Sequence, residues 1–88
     1  PGPRGGEVTL SGLRAFVAVA EVESFSGAAA LLGVSQPTVS VQLAALEQAC
    51  GVLLLHRKPR LALTDAGQDL FARARLVISR ANEFVASA

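Results

Sequence analysis

The sequence predicts a mainly α-helical domain: three short helices around one core, then a two-stranded hairpin, then a long C-terminal helix. Three observations predict it. Val39, Leu43, Leu46 and Cys50 recur at spacings of four, three and four, which lines one face of a helix with apolar groups. A polar HRKPR stretch, residues 56–60, separates two short apolar segments, the pattern of a hairpin. After Gly67 no helix breaker occurs, and apolar residues keep helical spacing to the end of the chain. With 88 residues, 51% of them hydrophobic and only four proline, the chain is long enough for one folded domain. A domain this small buries only about two-thirds of its unfolded surface, so a partner subunit covering more apolar area is expected on physical grounds.

Residues 1–9 are expected to form a flexible N-terminal tail, since PGPRGGE carries little that could pack and the chain begins with Pro1 rather than Met. From Leu10, the residues Leu13, Phe16, Val17 and Ala20 keep helical spacing, with Arg14 and Glu21 on the opposite side. This first helix should end near 22–24, with Phe25 turning inward. Ser26 can cap a second helix running through Ala28, Ala29, Ala30, Leu31 and Leu32, and Gly33 supplies the backbone freedom of a tight turn. Ser35 repeats the capping chemistry, and Pro37 sits in a first turn where a missing N–H removes no hydrogen bond.

A short helix, a tight turn and a longer helix make a helix-turn-helix. On the outer side of the third helix, Gln36, Thr38, Ser40, Val41 and Gln42 are small or able to hydrogen-bond. That face can enter a groove of duplex DNA and meet base edges, with Ser35 and Pro37 at its leading end. Between Glu47 and Asp65 there is no acid, while Arg57, Lys58 and Arg60 crowd beside His56. Directly after a helix-turn-helix, this cluster is expected to contact phosphate or the minor groove. Two short antiparallel strands, 52–55 and 61–63, should flank it with Pro59 at the tip. Thr64 can cap the last helix, and Asp65 in its first turn complements the helix dipole.

A helix over residues 65–88 would be about 36 Å long, well beyond a three-helix core. Ala66, Leu70, Ala74, Val77, Ala81 and Val85 form one stripe along it, and Phe71, Ile78 and Val85 recur every seven residues beside it. A stripe that outreaches the core is expected to hold a second copy, through Leu70, Phe71, Ala74, Val77, Ile78, Ala81 and Val85.

The single cysteine, Cys50, rules out an intrachain disulfide and a cysteine-based zinc cluster, and its spacing places it in the core. His56 is the only histidine, so neither metal nor cofactor is expected. The sequence has no Ser-His-acid set and no glycine-rich phosphate loop, which argues against an enzyme. Apolar runs are too short and interrupted for a membrane span, and a cytoplasmic protein is expected. A net charge of +1 is mild for a nucleic-acid binder.

The stretch FVAVAEVESFSGAAALLGVSQPTVS, residues 16–40, followed by QLAALEQACGVLLL and LALTDAG, resembles the N-terminal DNA-binding domain of LysR-type transcriptional regulators. The likeness runs from Leu10 to about Ala81. It implies a winged helix-turn-helix, residues 10–64, with the hairpin as wing and a dimerising linker helix, residues 65–88. It also implies an effector-sensing domain beyond this chain. Val41 stands where family members commonly carry Arg, and Leu53 where a polar or basic residue is common. The expected function is sequence-specific binding of double-stranded DNA at an inverted repeat, as a homodimer with possible higher oligomers in a full-length chain. The alternative is a winged helix that serves protein association alone, suggested by the mild charge and the exposed positions of Val41 and Leu53.

Overall fold

The computed structural model describes residues 7–88; the expected tail lies outside it up to residue 6. The order is α1 (Leu10–Val22), α2 (Phe25–Leu32), α3 (Gln36–Cys50), β1 (Leu55–His56), β2 (Ala62–Leu63) and α4 (Asp65–Ser87). Helix α1 is the central member, packing against α2, α3 and α4. Phe16, Val19, Val39, Leu43, Leu54 and Leu55 are fully buried, and Ala15, Ala18, Ala28 and Ala29 let the helices approach closely. Gly12 is part of the same economy of space, because a Cβ there would press on Leu46 Cβ at 3.3 Å and on the Gln42 carbonyl at 3.4 Å.

Each helix starts on a hydroxyl. Thr9, within the stretch expected as tail, accepts from the Gly12 N–H at 3.0 Å and begins α1. Helix α1 stops at Glu23, which takes the left-handed conformation with φ of 59° and donates to the Val19 carbonyl. That reversal corrects the start of the second helix. Ser24, not Ser26, is left extended and caps α2 by accepting from the Gly27 N–H at 2.9 Å, while Ser26 stays exposed with its Oγ 3.1 Å from that of Ser24. Phe25 therefore opens α2 and packs against the core, as expected. Gly33 ends α2 with φ of 71°, and Ser35 caps α3 through the Thr38 N–H at 3.2 Å.

The hairpin is antiparallel, with Leu55 opposite Leu63 and His56 opposite Ala62. Its first strand is shorter than the sequence suggests. Residues 52–54 do not join the ladder, and side chains hold the Leu53 carbonyl and the Leu54 N–H. The Glu47 carboxylate accepts from the Leu54 and Leu55 N–H groups, and the Thr64 hydroxyl donates to the Leu53 carbonyl at 2.7 Å. Thr64 also caps α4, accepting from the Gly67 N–H at 2.9 Å, and it ties wing, loop and last helix together.

Helix α4 stays on the protomer's own core as far as Ile78. Ala66, Leu70, Phe71, Ala74 and Ile78 all pack on the protomer's own core. Phe71 meets Phe16 edge to face at 6.1 Å, Arg75 pairs with Glu21 at 3.5 Å, and Arg14 donates to Asn82 Oδ1 at 3.0 Å. No single helix is long and apolar enough to cross a membrane.

Candidate nucleic-acid interface

The N-terminal half of α3 forms an outward face. Ser35, Gln36, Pro37 and Val41 are exposed, and Thr38, Ser40 and Gln42 are half-buried. The buried side of the same helix, Val39, Leu43 and Leu46, fixes that orientation, since alternate stripes of one helix cannot both turn inward. Ser35 and Thr38 hydroxyls lie 2.8 Å apart, so both are held by the cap that starts the helix. Val41 is 68% exposed and shares a shallow recess with Pro37, Thr38 and Gln42. Gln42 also borders a hollow with Ser11, Arg14, Leu32 and Val34, placing it at the junction of the outward face of α3 with α1 and the turn.

The three wing cations are not equivalent. Lys58 and Arg60 are exposed and form no ion pair among the described residues. Arg57 is held. Its guanidinium donates to the Leu55 carbonyl at 3.3 Å, lies 5.2 Å from the centre of the Phe25 ring and stands 4.0 Å from Glu47 Oε1.

Glu47 is the residue that the sequence did not reveal. It is 8% exposed on the inner side of α3, and Oε2 accepts from Leu54 at 2.8 Å and from Leu55 at 3.3 Å. Its position four residues after Leu43, on the apolar stripe, is the one signal that could have found it.

The residues assigned to a second copy divide into two groups. Ala74 is buried, and Leu70, Phe71 and Ile78 are half-buried against the protomer's own core. Ala81 is half-buried, while Val77 and Val85 are 48% and 71% exposed. Phe84, absent from that set, is the most exposed large apolar side chain of α4, at 78%. Leu70, Ala74, Val77, Ala81 and Phe84 alternate at four and three residues, the spacing that a seam between paired helices requires. An apolar groove of about 250 Å³ lies beside that seam, bordered by Leu13, Phe16, Leu46, Cys50, Leu70 and Val77.

Over residues 10–68 the chain matches the family described as bacterial regulatory helix-turn-helix protein, lysR family. It is 52% identical over 81 residues to a probable hydrogen peroxide-inducible genes activator of Mycobacterium avium, covering 91% of this chain and 26% of that protein. The chain thus spans between about a quarter and a half of the length of the curated relatives it matches. Among solved structures, it is similar to the BenM DNA-binding domain in complex with catB site 1 DNA, with a TM-score of 0.83 at 35% identity over 90% of both chains. It is likewise similar to the CbnR DNA-binding domain in complex with DNA, with a TM-score of 0.82 at 38% identity, covering 90% of this chain and 92% of that one.

Proposed function

Since this chain belongs to the lysR family of bacterial regulatory helix-turn-helix proteins, we propose that it binds duplex DNA sequence-specifically as the DNA-binding part of a cytoplasmic transcriptional regulator. The observation that carries this reading is a polar outward helix face followed by a hairpin with exposed cations. The outward half of α3 offers Gln36, Thr38, Ser40 and Gln42 to base edges, and the wing, tied to the same helix through Glu47, offers cations to the backbone. The reading extends to a homodimer. Val77, Ala81 and Phe84, the C-terminal part of the stripe that begins at Leu70, form the surface of α4 that its own core leaves open. Two copies joined there would present two recognition helices to the half-sites of an inverted repeat.

Two measurements probe this surface. Val41→Arg places a cation in the open recess without touching the buried stripe of α3. Affinity for duplex DNA should rise, by about tenfold if the guanidinium meets a guanine or a phosphate. Fluorescence anisotropy checks it, and no gain at any salt concentration would mean that position 41 faces away from DNA.

The second measurement concerns salt. Lys58 and Arg60 are the wing cations least engaged by the fold, so they should carry much of the sequence-independent affinity. Arg60→Ala removes one charge per protomer, and the slope of log affinity against log salt should flatten by about 1.8 for a dimer. Preference between cognate and scrambled duplex should change little. Parallel salt lines for wild type and variant would place the phosphate contacts elsewhere.

A further inference from the structure

We propose that Glu47 is a positioning residue of the DNA-binding surface, holding the wing arginine Arg57 in register with the recognition helix. The inference rests on the DNA-binding reading above and deepens it. Glu47 belongs to α3, and its buried carboxylate reaches the Leu54 and Leu55 N–H groups at 2.8 and 3.3 Å and Arg57 at 4.0 Å. Arg57 is fixed from three sides: by Glu47 of α3, by the Leu55 carbonyl of β1 and by the Phe25 ring at the start of α2. The Glu47–Arg57 pair thereby connects the recognition helix, the wing and the first helix of the helix-turn-helix.

The chemistry suits a pre-set contact. A guanidinium has five donors in a rigid fork, and Arg57 turns part of that fork inward while its side chain remains 44% exposed. A cation already confined in this way loses less rotamer freedom on meeting a phosphate than a lysine on an open hairpin. Because the confining group sits on α3 itself, a phosphate held by Arg57 fixes how that helix lies in the groove. Lys58 and Arg60, one and three residues further on, have no such brace among the described residues.

The test is a double-mutant cycle on duplex affinity, using Glu47→Gln, Arg57→Ala and the double variant, with thermal unfolding measured alongside. Glu47→Gln keeps the side chain's shape and one acceptor but takes away the charge. Removing a negative charge should by itself tighten binding to a polyanion. Positioning predicts the opposite sign: a loss of roughly tenfold, the scale of one charge-assisted contact. In the Arg57→Ala background that loss should vanish, leaving only the slight tightening that removal of a negative charge brings. Tighter or unchanged binding by Glu47→Gln, or a loss that persists in full without Arg57, would overturn the proposal. Should Glu47→Gln fail to fold, Arg57→Lys carries the test, since it keeps the charge and gives up the fork; wild-type affinity in that variant would overturn it equally. A wild-type chain that ignores duplex DNA would overturn the DNA-binding reading itself, an outcome distinct from an additive cycle.

Discussion

Gly67→Ala is expected to destabilise the domain by about 2 to 3 kcal/mol, the upper part of the range for overpacking a close contact. The sign is the test, because alanine is ordinarily the better helix residue by up to about 1 kcal/mol. Gly67 is buried in the first turn of α4, and a Cβ there would collide with the Leu54 carbonyl oxygen and crowd Leu63. The carbonyl cannot yield easily, since it accepts the Thr64 N–H at 3.0 Å while the Leu54 N–H is held by Glu47. Relief would have to move the wing or the helix. In a domain of this size such a loss lowers the melting temperature by roughly 10 to 20 °C. Thermal unfolding followed by circular dichroism measures it, and an unchanged or raised midpoint would show that the contact is not rigid.

Phe84→Glu is expected to leave each protomer folded while separating the pair. At 78% exposure Phe84 contributes little to its own core, so the substitution tests the seam and not the fold. Ile78, which the sequence placed in the same interface, does not allow this separation, because it packs against the core and a charge there would disturb the protomer first. Loss of the link turns two-site engagement into one-site binding, and affinity for an inverted repeat should fall by roughly 10² to 10⁴-fold. Light scattering and anisotropy on the same samples check both effects. A variant still dimeric at micromolar concentration would move the interface away from α4.

What the sequence made legible was local. The stripe Val39, Leu43, Leu46 and the caps at Ser35 and Thr64 depend on neighbours within a turn or two, and each lies where its spacing indicated. Choices between near-equivalent neighbours were not legible. Ser24 and Ser26 both flank Phe25, and only the left-handed turn at Glu23 decides which becomes the cap. That Phe71 and Ile78 lie against the protomer's own core, while Phe84 and Val85 are both exposed, was not legible either. That in turn rests on contacts far apart in sequence, such as Arg14 with Asn82, 68 residues away.

Glu47 was hidden for another reason. Its partners are main-chain N–H groups seven and eight residues on, and a peptide N–H carries no sequence signature. The same holds for Gly12 and Gly67, where the need for glycine comes from a backbone or side chain of another element. At the candidate interface, sequence identified the outward residues of α3 and the cationic wing. It could not tell that Arg57 is braced while Lys58 and Arg60 are open, because the brace comes from a residue on the far side of the loop.

Selection from a random duplex pool at low salt tests the central claim most directly. The expected result is enrichment of an inverted repeat whose half-sites lie about one helical turn, or a multiple of it, apart. Such a repeat would report sequence reading by α3 and two-fold pairing through α4 at once. A retained pool without sequence preference, or no retention of DNA at low salt, would contradict it.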